Sequence, residues 1–156
     1  MVNASPLILL GKATDLWLLG RMADRIDVPA AVADEVGAKP DGREILEAIA
    51  QDPAFAIVDK EVATPEILSW DLGSGETQVI AHALAQHAER VVIDDREARR
   101  CAMSMGLAVI GTLGIIGRAK TTGLIDRAEP VVKRLLATGL YASDELVRRL
   151  LIEVGE

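Results

Sequence analysis

The chain has 156 residues, half of them hydrophobic, and a formal charge of −7 at pH 7. That length fits one domain spanning residues 1–156, and the apolar content excludes a disordered chain. The acidic balance excludes nucleic-acid binding by bulk attraction, so any such chemistry needs a local basic surface or a metal.

Aromatic residues are scarce (two Trp, one Tyr, one Phe). The core must therefore be aliphatic, and the scarcity argues against recognition of single strands by base stacking. Cys101 stands alone, which excludes an internal disulfide and suits a reducing cytoplasm; a small buried hydrophobe on a helix is its expected role. The apolar run Leu7–Leu10 is too short for a signal segment or a membrane span.

The chain opens with Met1-Val2, a very short first strand unless the true start lies upstream. Ser5 is expected to cap a helix with Pro6 in its first turn, running Pro6–Lys12. A second helix is expected over Thr14–Met22, then a strand at Ile26–Val28. Pro29 opens a helix over Ala30–Val36, closed by Gly37. Asp41–Ile49 reads as a helix, and Phe55–Val58 as an edge strand, given the nearby Pro53.

In the second half, Ser74 is expected to cap a helix over Gly75–Ala88, with Val79, Ile80, Ala83 and Leu84 on its apolar face. Val91–Ile93 has the unbroken apolar pattern of a strand buried on both faces, ending at Asp94-Asp95. A helix to Met105 follows, then a strand over Leu107–Ile110. Three more helices are predicted: Thr112–Thr122, Glu129–Thr138, and one from the cap Ser143 to Val154, with Asp144 and Glu145 in its first turn. Such alternation predicts an α/β fold of three α/β/α layers around a parallel central sheet.

Ligands bind outside the carboxyl ends of such strands. There the pattern delivers Asn3, then Asp94 and Asp95, with Glu35 and Glu76 on nearby helices. An oxygen-only cluster of this kind suits Mg²⁺ or Mn²⁺ rather than zinc. Each residue also has a plain structural use: Asp94-Asp95 as a helix cap and first-turn acid, Glu76 as a first-turn acid, Glu35 as a solvated charge. Asp34 points about 100° away from Glu35 around its helix and is expected in solvent. His82 and His87, five residues apart, are poorly spaced for shared ligation and suggest polar surface or helix-end roles. The apolar stripes at Leu18, Leu19 and Met22 and at Leu146, Leu150 and Leu151 are expected first in the core, and second at a dimer or partner interface.

Several blocks resemble the PIN-domain superfamily, in particular its prokaryotic PIN-like branch related to VapC toxins. They are Asn3–Ile8, Val28–Val36, Asp71–Glu76, Val92–Arg100 and Gly111–Gly114, followed by Arg118–Lys120 and Gly123–Ile125, in order and along nearly the whole chain. The resemblance implies Mg²⁺- or Mn²⁺-dependent hydrolysis of RNA phosphodiester bonds. It implies metal ligands at Asn3, Glu35, Glu76 and Asp94, with Asp95 as neighbour or substitute, and catalytic roles for Glu35, Glu76, Asp94 and Asp95. Ser5 falls at a small-hydroxyl position near the site. Thr112 is expected to bond a phosphate or a bound water, and Arg96 and Arg99 to line an RNA path with Arg118 and Lys120. Asn3 departs from the usual Asp; it offers a carbonyl oxygen without a charge.

The implied partners are RNA, an antitoxin whose tail covers the acidic cleft, and a second copy in a homodimer. A PIN-fold binding module that has lost catalysis through Asn3 is the alternative from another class. A phospho-acceptor receiver domain fits less well, because Asp94-Asp95 come too late in the chain.

Overall fold

A computed structural model describes residues 1–156. In chain order it comprises α1 (Ala4–Lys12), α2 (Trp17–Met22), β1 (Ile26–Pro29), α3 (Ala30–Gly37), α4 (Gly42–Gln51), β2 (Phe55–Val58) and α5 (Pro65–Leu68). There follow α6 (Ser74–Ala85), β3 (Val91–Val92), α7 (Arg96–Ser104), β4 (Val109–Ile110), α8 (Thr112–Thr121), α9 (Glu129–Ala137) and α10 (Asp144–Glu153). No helix is long and apolar enough to cross a membrane.

The strands form two parallel pairs. β1 pairs with β2, with Ile26 opposite Phe55 and Pro29 opposite Val58, and β3 pairs with β4, with Val91 opposite Val109. Residues 1–3 lie between the pairs. Val2 bridges Val92 in parallel, and the Asn3 N–H donates to the Val92 carbonyl at 3.0 Å. On the other side the Val2 N–H donates to the Asp27 carbonyl at 3.3 Å. Short as they are, these ladders point the same way, so Asn3 and Asp94 emerge at one edge.

Around them packs a core of 32 buried residues, all aliphatic or alanine except Cys101. Leu7, Leu10, Ile80, Ile93, Ile116 and Leu135 are among its largest fully buried side chains. Burial of each is worth roughly 1.5–3 kcal/mol, which is how a chain with so few aromatics fills its interior.

Several boundaries move for identifiable reasons. α1 begins at Ala4 with Asn3 as its N-cap residue, so Ser5 is an exposed position inside the first turn rather than the cap. α6 starts at Ser74 itself, after Gly73. It stops at Ala85, short of the expected Ala88, because His87 turns to a positive φ of 51° and the Ala88 N–H returns to the Ala83 carbonyl. α2 begins only at Trp17, since Thr14 at φ 60° breaks the run before it. The single turn α5 has no periodicity to read; its Thr64 hydroxyl accepts from the Ile67 N–H. The expected cap Ser143 is present and accepts from the Leu146 N–H at 3.2 Å, whereas the cap of α7 is Asp95, which accepts from the Ala98 N–H at 2.8 Å, one residue past the Asp94 expected in that role.

Candidate active site

The strand-like segment 1–3 carries Asn3 into the interior, where it is 2% exposed. Its side-chain Nδ2 donates to Glu76 Oε1 at 2.9 Å, while its Oδ1 is buried with no hydrogen-bond partner. Glu76 sits in the first turn of α6. Glu35 reaches the same place from α3, which packs on α6. A Cβ added to Gly75 would lie 2.9 Å from Glu35 Oε2 and 3.1 Å from Asn3 Oδ1, so the missing side chain at Gly75 keeps open the space these oxygens share.

The electrostatics agree with this crowding. Glu35 is exposed as a residue, yet its carboxyl is pushed above its ordinary value of 4.5, first by desolvation where it meets the opening and then by the negative Glu76, with Lys39 pulling the other way. An unpaired buried acceptor costs ~1–3 kcal/mol. A carbonyl oxygen and two carboxylates around one opening form the donor set that Mg²⁺ or Mn²⁺ takes, so these residues fit such an ion. No group of three or more His, Cys, Asp or Glu residues lies close enough to hold a metal ion, so the neutral Asn3 is integral to any such site.

Asp94, at the end of β3, is held differently. Its Oδ1 accepts the Thr112 N–H at 2.7 Å and its Oδ2 the Thr112 hydroxyl at 2.6 Å. Thr112 is fully buried, and both its donors are engaged by Asp94. It therefore orients that carboxylate, a use different from the phosphate or water contact expected of it. Asp95 is the exposed N-cap of α7. The structure thus joins Asn3, Glu35 and Glu76, while Asp94 is bonded to Thr112 and Asp95 lines a cleft beside Glu76.

Of the expected substrate contacts, Arg96 is exposed and free of ion pairs, and Ser5 is exposed. Arg99 is half-buried and donates to the Ile93 carbonyl at 3.0 Å, beside Asp94 at the Gly111 turn. His82 lies in the last turn of α6, the helix-end place expected of it, but it is buried rather than on the polar surface, with Nε2 against the Asp59 carbonyl. Next to it the buried Gln78 side chain closes both hydrogen bonds on the Glu61 backbone, at 2.8 and 3.0 Å. These two side chains tie residues 59–61 to α6, the helix that carries Glu76. Sequence reading also missed the buried Asp15, which Arg134 grips with two guanidinium nitrogens, the closest contact 2.8 Å. Nothing in local spacing links residues 119 positions apart.

An α/β protein with oxygen donors at the carboxyl edge of parallel strands is the class these features define. A family model described as a PIN domain matches residues 1–156, and the chain belongs to that family. No curated protein and no solved structure matches the chain.

Proposed function

We propose that this PIN-domain protein is a Mg²⁺- or Mn²⁺-dependent endoribonuclease, the toxin of a toxin–antitoxin pair. The observation that carries the reading is the buried, unpartnered Asn3 Oδ1 facing the same opening as Glu35, beside Glu76. A divalent cation supplies Lewis acidity for activating water and for the charge on a departing oxygen. Asn3, Glu35 and Glu76 would hold it. Asp94, fixed by Thr112, stands at the neighbouring strand end to orient the attacking group. Arg96 and Arg99 lie on α7, which starts just past that edge, and would meet the RNA backbone. The same reading arranges the helices in layers on both faces of the strands. It takes a cytoplasmic setting, a homodimer and an antitoxin that covers the acidic cleft.

Mn²⁺ titration against a labelled RNA, with Asp94→Asn beside the native chain, tests the proposal. Metal-dependent cleavage that the substitution abolishes supports it; equal cleavage by both proteins overturns the mechanism. The second reading, a PIN-fold binding module without catalysis, is favoured by one observation: a neutral residue stands between the carboxylates of α3 and α6. RNA binding without metal-dependent cleavage would select it.

A further inference from the structure

Beside the Asn3–Glu76 hydrogen bond lies a shallow cleft of about 340 Å³ whose wall includes Trp70, Asp71, Glu76, Asp95 and Glu97. Its carboxylates are not equivalent. Asp95 accepts from the α7 backbone, and Glu97 receives Arg100 through both oxygens at 3.1 and 3.0 Å. Glu76 is bonded to Asn3. Asp71 has no side-chain hydrogen bond or ion pair, and it adjoins the half-buried indole of Trp70. The Arg100 guanidinium stands 6.0 Å from the centre of that ring, at the outer limit of a cation–π contact. Trp17, the other tryptophan, lines a different depression.

We infer that this cleft receives an unpaired guanine base of the RNA, its ring packed on Trp70 and its Watson–Crick edge donating to Asp71. The inference rests on the ribonuclease reading and names the substrate class of that site. An acid-lined cleft repels phosphate, so the part of a nucleotide it accepts is the base. Single-stranded RNA is read by stacking bases on aromatic rings and bonding their exposed edges; the scarcity of aromatics argues against a run of stacked bases, but one placed indole serves a single base. A free carboxylate only accepts, and guanine offers it two adjacent donors, N1–H and the N2 amino group, where uracil offers one. A paired base has this edge occupied, so the cleft selects single strands.

The two indole N–H resonances of the native chain report on this separately, assigned with Trp17→Phe. Titration with guanosine monophosphate and with a G-containing single-stranded oligoribonucleotide should move the Trp70 signal and leave Trp17 still. Uridine monophosphate and the duplex should bind at least several-fold more weakly. Trp70→Leu should weaken binding of the single strand about tenfold, and Trp70→Phe should recover most of it. Asp71→Asn, which keeps the positive-φ backbone that Asn tolerates, should collapse the preference for G over U. A silent Trp70 resonance, or equal responses to G, U and duplex, overturns the inference. Metal-dependent cleavage with Trp70 silent would leave the nuclease reading standing, whereas a Trp70 response without cleavage would remove the nuclease and keep the base site.

Discussion

The two halves of the acidic edge are built in opposite ways. At Asp94 both carboxylate oxygens are engaged by Thr112. At Asn3 one amide atom is bonded and the other, though buried, meets nothing. A fully bonded carboxylate is fixed in advance; an unpartnered acceptor beside two carboxylates keeps its bonding capacity. The difference teaches which half keeps free bonding capacity, where the proposed cation would sit, and which is already fixed.

That contrast can be broken from either side. Glu76→Gln should have the largest effect, lowering metal-dependent RNA cleavage by about 10²-fold or more in single-turnover assays, because it removes a charge from the proposed ion site. Thr112→Val keeps the backbone N–H bond to Asp94 and deletes the hydroxyl one. The expected cost is about 10–100-fold in activity or metal affinity and ~1–2 kcal/mol of stability by denaturant unfolding.

Asn3→Asp sharpens the comparison. Without metal it replaces a hydrogen bond to Glu76 by repulsion, and the variant should be less stable by ~1–3 kcal/mol. Added Mn²⁺ should raise its melting temperature more than it raises that of the native protein, since a ligand binding only the folded state stabilises it by mass action.

The smallest effect concerns pH. Because the folded-state carboxyl of Glu35 lies above 4.5, the native state binds the extra proton between that value and the raised one. Its contribution is therefore unfavourable at neutral pH and is relieved as pH falls through the raised value. Glu35→Gln should slightly raise the metal-free melting temperature at neutral pH and lose that advantage below about pH 4.5. Saturating Mn²⁺ should reverse the order at neutral pH.

The features legible in the sequence were those written in short spans. Pro29 and Gly37 around an apolar helix, Val91–Ile93 before Asp94-Asp95, and Ser143 before acidic residues each carry their own local physics, and the elements lie within a few residues of those signals. The block pattern makes Asn3 and Glu76 companions, and the two side chains touch. What stayed hidden depends on pairing across the chain: Asp15 with Arg134, His82 with the Asp59 carbonyl, and Gln78 with the Glu61 backbone. The partner of Thr112 was equally out of reach. A hydroxyl at a strand end looks available for substrate until the fold sets a carboxylate 2.6 Å away.

The central claim is that Asn3 Oδ1, Glu35 and Glu76 together hold one divalent cation. Crystals soaked in Mn²⁺ and measured for anomalous scattering address it directly. The account predicts a peak in contact with Asn3 Oδ1 and both glutamates, lost in Glu76→Gln crystals. Ordered density for all three side chains with no peak between them would contradict it.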